Sequence, residues 1–138
     1  RAIVGRSLLK QAEIKTDFLD NNVALLTIDR DMAAFFTSGE IFSSIGLKIK
    51  NLMDFKHKWV IENCNGHLGY IPDEKAFLAA EENKKIKEEF PDVSVFESIG
   101  METSYETNPI SCKLAPEAEQ ILISQFQELL RKHTACLG

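Results

Sequence analysis

Two apolar runs stand close together in the first third of the chain. Val23-Ala-Leu-Leu-Thr-Ile28 and Met32-Ala-Ala-Phe-Phe-Thr37 flank the short polar stretch Asp29-Arg30-Asp31. Partly β-branched runs joined by a short polar turn predict a β-hairpin. Within both runs the apolar residues are consecutive rather than alternating. That pattern belongs to strands covered on both faces, inside a larger body.

Helical periodicity takes over on either side. Ile3, Val4, Leu8 and Leu9 are loosely amphipathic and predict a short helix over 2–12. Ile41, Phe42, Ile45 and Ile49 recur at helical spacing. Thr37-Ser-Gly-Glu40 before them has the form of a capping box, so that helix is expected to open at Thr37. Lys48 and Lys50 near its end suit the negative pole of the helix dipole. The segment 56–64, centred on Trp59-Val-Ile61, reads as a strand. Asn65-Gly-His-Leu-Gly69 reads as a constrained loop leading to Tyr70-Ile71-Pro72.

Asp73 starts a further helix, stopped at Phe90 by Pro91. Its second half, Glu81 to Glu89, is nearly all charged and is expected to be a solvated face. A short strand is expected at Val93-Ser-Val-Phe96, then an extended loop over 97–115. Pro116-Glu-Ala-Glu119 opens the last helix with a proline and acids in its first turn. Ala118, Ile121, Leu122, Phe126, Leu129 and Leu130 give that helix its apolar face. The expectation is an α/β fold: a mixed sheet with a β-hairpin and three to four flanking helices. It spans 1–138 as a single domain or as the C-terminal fragment of a larger catalytic domain.

Composition narrows the function classes. Of 138 residues, 44% are hydrophobic and 27% charged, as in soluble globular chains. Sixteen basic against 21 acidic residues give a net charge of -5. That balance lacks the electrostatic footprint of a nucleic-acid binder and offers anionic lipid no polybasic segment. No apolar run approaches the roughly 18 residues of a transmembrane helix. Cys64, Cys112 and Cys136 are too few and scattered for a disulfide framework or a metal knuckle. The start, Arg1-Ala-Ile-Val, has neither an initiator Met nor a signal-peptide core, and reads as an engineered start, a proteolytic product or a domain excised from something longer.

No generic hydrolase, nucleotide-binding or zinc-protease motif is present. His57, His67 and His133 lack metal-ligand spacing among themselves. His133 reads as a dipole partner at a helix end, and His57 as an exposed residue beside a strand. His67, in the Gly/Asn loop, has the better claim to function. Two further places carry chemistry. Glu40, at a strand–helix junction, is either a helix cap or a ligand or base beside a positive helix pole. Tyr70 is held just before a proline, as a packed loop residue or a positioned phenol.

The residues at these two places resemble a known family. Phe35-Phe-Thr-Ser-Gly-Glu-Ile-Phe42 followed by Gly46-Leu-Lys-Ile-Lys50 is similar to a conserved-order segment of the neutral, non-lysosomal ceramidases. Asn65-Gly-His-Leu-Gly-Tyr-Ile-Pro-Asp73 is similar to a second segment of that family, and Glu74-Lys-Ala-Phe77 continues the likeness. Tyr105-Glu106 and Pro116-Glu-Ala-Glu119 resemble later ones. The likeness covers roughly 22–130 and is closest to the shorter bacterial ceramidase-like hydrolases.

The resemblance implies zinc-dependent hydrolysis of an amide, N-acylsphingosine giving a fatty acid and sphingosine. It implies Glu40 and Tyr70 as two of four zinc ligands and Tyr105 near the substrate carbonyl. Ser38 stands where the family has proline, and the charged stretch around 81–104 sets Tyr105 further from Tyr70 than in the family. The family's two zinc histidines belong to a preceding region, and none of His57, His67 and His133 falls on their positions. The chain alone is therefore expected to be inactive, its partner being the N-terminal region with those histidines and its substrate a lipid amide. Secretion or a membrane-surface location goes with the likeness. Two other readings stand beside it. One is a small non-catalytic α/β binding or interaction module. The other is a hydrolase of the same family with a different substrate.

Overall fold

The computed structural model describes residues 19–89, 106, 107, 112 and 114–137. The expected helix over 2–12, the strand at 93–96, most of the 97–115 loop and Tyr105 lie outside them. Eight elements follow in order: β1 (Val23–Ile28), β2 (Met32–Thr37), β3 (Glu40–Ile41), α1 (Ser43–Leu52), β4 (His57–Ile61), β5 (Tyr70–Ile71), α2 (Glu74–Glu89) and α3 (Ala118–Leu137). The fold is α/β, as the hydrophobic pattern predicts.

The hairpin forms as expected. β1 and β2 pair antiparallel from Val23↔Thr37 to Ile28↔Met32. Asp29 in the turn takes φ 51°, a conformation that aspartate tolerates better than bulkier residues. β4 adds parallel to β2, from Met32↔His57 to Phe36↔Ile61, giving a mixed sheet of order β1-β2-β4. A parallel neighbour requires a crossover, and β3 with α1 supplies it. β3 and β5 form a separate parallel pair.

Helices cover one face of the three-stranded sheet. Ala33 and Phe35 of β2 join Ile45 and Ile49 of α1, Met53, and Leu122 and Phe126 of α3 in one buried cluster. Phe35 and Phe126 meet edge to face, ring centres 5.0 Å apart at 74°. That geometry sets the positive ring edge against the negative ring face. Ile41 and Ile71 bring the small β3–β5 pair into the same core.

The other face is open at its edges. Side chains alternate along a strand, so Leu26, Ala34 and Trp59, which are cross-strand partners, share that face. Ile28, Met32 and His57 form the next row, and Ala24, Phe36 and Ile61 the row on the other side. Leu26 is 49% exposed, Ile28 52% and Trp59 55%. The consecutive apolar residues of β1 predict cover on both faces. In the structure β2, the central strand, comes nearest to it, whereas β1 alternates between half-buried and exposed residues.

One expectation is corrected. Thr37-Ser-Gly-Glu40 does not open a helix. Thr37 ends β2, Glu40 lies in β3, and α1 starts at Ser43 with Phe42 as a cap that makes no side-chain hydrogen bond. The backbone N–H of Glu40 donates to Gly69 (2.9 Å), and that of Phe42 to Ile71 (3.1 Å). A partner strand thirty residues away takes the donors that a capping box would have used. Lys48 is corrected too. Its ammonium binds Glu119 at the start of α3, leaving Lys50 as the base in α1's last turn.

Glu119 ties the helices together. It is 4% exposed, and its second oxygen accepts the first N–H of α2, from Glu74 (2.9 Å). A carboxylate facing two helix N-termini and an ammonium is well compensated for its burial. Glu119 raises the pKa of Lys48, chiefly through their hydrogen bond. The charged half of α2 is exposed at Glu81, Glu82, Lys84, Lys85, Glu88 and Glu89, as its composition predicts.

Candidate functional site

Glu40 and Tyr70 come together through backbone pairing. They are direct partners in the parallel β3–β5 pair, so their side chains leave the same side of it. Their neighbours Ile41 and Ile71 point into the core from the opposite side. Strand geometry sets paired Cα atoms about 4.8 Å apart. Both side chains are half-buried.

The turn before Glu40 explains why it can lie there. A Cβ at Gly39 would sit 2.6 Å from Cγ1 of Ile71, so glycine alone lets β3 approach β5. The turn is held from several sides. Asn21 Oδ1 accepts from the Ser38 N–H (3.2 Å), the Ser38 hydroxyl (2.7 Å) and the Thr37 hydroxyl (3.1 Å). Thr37 Oγ1 in turn accepts from the Gly39 N–H (3.3 Å).

The loop between β4 and β5 wraps this turn. Cys64 N–H donates to Thr37 (2.9 Å) and Leu68 N–H to Ser38 (3.0 Å). The loop's expected strain is present: Asn63 and Asn65 take φ 54° and 58°, and Gly69 takes 89°. These conformations suit asparagine and glycine and deliver Tyr70 into register with Glu40.

The fold adds one carboxylate that sequence spacing does not reveal. Glu62 follows β4 directly, and its pKa is raised by burial and, after that, by the charge of Glu40. Glu62 and Glu40 thus feel one another's charge near the carboxyl ends of the parallel strands β2 and β4. Ligand sites of open α/β sheets favour that edge. Oxygen donors in a region of negative potential suit a cation. The set lacks nitrogen donors, and among the described residues no group of three or more His, Cys, Asp and Glu side chains gathers as metal ligands would.

The histidines lie elsewhere. His57 is exposed and pairs with Met32, at the opposite end of β2 from Glu40, roughly 17 Å along the strand. His133 packs its ring against Phe55, centres 6.3 Å apart, and its buried Nε2 has no hydrogen-bond partner among the described residues. His67 is exposed, with Nδ1 3.1 Å from Asn63 Oδ1. Glu106, next in sequence to Tyr105, has a carboxylate oxygen closed to solvent and without a hydrogen-bond partner among the described residues. Among the described residues, no helix is long and apolar enough to cross a membrane. Compared with protein-family models, curated proteins and solved structures, the chain matches none.

Proposed function

We propose that this chain is part of a zinc-dependent amide hydrolase acting on an N-acyl lipid of the ceramide kind. The observation that carries the reading is the register of β3 and β5, which pairs Glu40 with Tyr70. Two residues assigned as ligands from a likeness thirty positions apart are cross-strand neighbours on one side of a strand pair.

A zinc ion held there would polarise an amide carbonyl and activate water. The chain's own residues have simpler tasks. Glu40 and Tyr70 present two oxygen donors at a spacing fixed by the backbone. Gly39 and the Asn21 hydrogen bonds hold Glu40 in place, and the left-handed loop residues hold Tyr70. Tyr105 is assigned to the substrate carbonyl. Two histidines from outside these 138 residues complete the donor set. A different substrate of the same reaction class is compatible with the same residues.

The open sheet face favours a second reading, a non-catalytic interaction module in which Glu40 and Tyr70 are structural. Zinc analysis of the complete gene product separates the two. The hydrolase reading expects one bound zinc per protein. It also expects Glu40→Gln and Tyr70→Phe each to weaken binding by at least the roughly 10–100-fold that outer-sphere partners cost. Hydrolysis of a short-chain ceramide should fall in step. Zinc binding that neither substitution disturbs would end the reading.

A further inference from the structure

The loop that delivers Tyr70 carries two asparagines in nearly the same backbone state. Asn63 and Asn65 are both exposed and take φ 54° and 58°. Their surroundings differ. The N–H that follows Asn63 belongs to Cys64 and donates to the Thr37 carbonyl (2.9 Å). The Asn63 side chain is held too, with Oδ1 3.1 Å from Nδ1 of His67. The N–H that follows Asn65 belongs to Gly66 and meets no acceptor among the described residues. Nor does the Asn65 side-chain amide make a hydrogen bond among them. Gly66 has no side chain to shield its nitrogen. The fold favours glycine there, since at φ 155° a Cβ would stand 3.3 Å from that of Ser38. Hydrogen bonds from Cys64 and Leu68 to the Thr37–Ser38 turn anchor the loop on either side, and residues 65–67 are exposed between them.

We infer that Asn65 is a site of spontaneous deamidation in the folded chain, and that Asn63 is not. The Gly66 nitrogen gives up its proton to hydroxide and attacks Cγ of Asn65. The N–Cγ bond forms, the Cγ–Nδ2 bond breaks, and Nδ2 leaves as ammonia with a proton from water. The product is a cyclic succinimide. Water then opens the ring at either carbonyl. The net exchange is one water for one ammonia, with no oxidant, reductant or cofactor. Ring closure needs Asn65 and Gly66 to rotate, which costs little in a stretch whose polar groups are unpaired. At Asn63 two hydrogen bonds must break first. Opening one way gives aspartate, which tolerates the left-handed conformation as asparagine does. Opening the other way gives isoaspartate, which adds a carbon to the main chain between the anchors at Cys64 and Leu68. That insertion pulls the loop from the turn and disturbs the register of Tyr70 with Glu40. The chemistry is independent of what Glu40 and Tyr70 bind.

The test incubates the protein at mildly alkaline pH, with and without urea, and follows its tryptic peptide 59–75 by mass spectrometry. That peptide lies between Lys58 and Lys75 and holds both asparagines, which fragment masses tell apart. In the folded chain Asn65 is expected to convert at least ~10-fold faster than Asn63, and within about tenfold of its own rate in urea. Isoaspartate, detected with an isoaspartyl methyltransferase, should accompany the conversion. Asn65→Gln, whose longer side chain closes a ring far more slowly, should remove it. Amide hydrogen exchange in the unaltered protein gives a second readout: the Gly66 N–H should exchange at least ~10-fold faster than that of Cys64. Folded Asn65 converting no faster than folded Asn63 overturns the inference. So does conversion of Asn65 only in urea, since the folded loop would then protect both residues. Exchange at Gly66 as slow as at Cys64 overturns it as well, because the attacking nitrogen would not be free.

Discussion

Glu62 is the residue whose environment most directly reports on the site. Its carboxyl holds its proton more tightly in the folded chain, first through burial and then through Glu40. An acid with a raised folded-state pKa costs stability once pH exceeds its ordinary value, because the folded state must ionise it against that resistance. The cost is absent below the ordinary carboxylate range. It grows as pH rises towards the folded value and is constant above. Glu62→Gln removes it. Urea unfolding should therefore show E62Q more stable than the parent at pH 7, with the difference shrinking towards pH 4. Equal midpoints at both pH values would mean that folding does not raise the pKa of Glu62. Gly39 shows how a residue without chemistry decides the same site. Any side chain there meets Ile71, and moving Ile71 moves Tyr70 beside it.

At the scale of elements, the joint between α1 and α2 depends on one side chain. Asp73 Oδ1 accepts the N–H of Ala76 (2.9 Å), capping α2, while Oδ2 accepts the hydroxyl of Ser44 in α1 (2.6 Å). Asp73→Ala removes both bonds and should cost about 1–2 kcal/mol by urea unfolding. Ser44→Ala removes one and should cost less. If the two substitutions cost the same, the cap contributes nothing. The start of α2 at Asp73 was readable beforehand, since an Asp before a helix is a local signal, and so were the hairpin, β4 and the face of α3, but the bond from Ser44 was not. The β3–β5 pair was not. Ile41 and Phe42 fit a helical repeat with Ile45 and Ile49, and only pairing with Ile71 makes them a strand and a cap. Two-residue strands leave no periodicity to read. The influence of the Glu40 charge on Glu62, and the ion pair of Lys48 with Glu119, escape a linear reading for the same reason. Each joins residues that meet only after the chain has folded. Glu40 and Tyr70 were legible as candidates through a likeness, and their pairing became visible only in the register.

The molecule as a whole is two-sided, and that asymmetry has a consequence for stability. Its core face is complete: Phe126 is fully buried against Phe35. Phe126→Ala should cost about 3–5 kcal/mol, through lost transfer energy and the cavity left behind. Trp59 is larger but 55% exposed, with no layer above it among the described residues. In the 138-residue chain Trp59→Ala should cost about 1 kcal/mol or less, because little of the ring leaves an apolar environment. Phe126→Ala serves as the internal standard in the same urea-unfolding series. A cost at Trp59 that approaches the cost at Phe126 would mean that the indole is buried and the sheet face covered. A small cost means that the face is open.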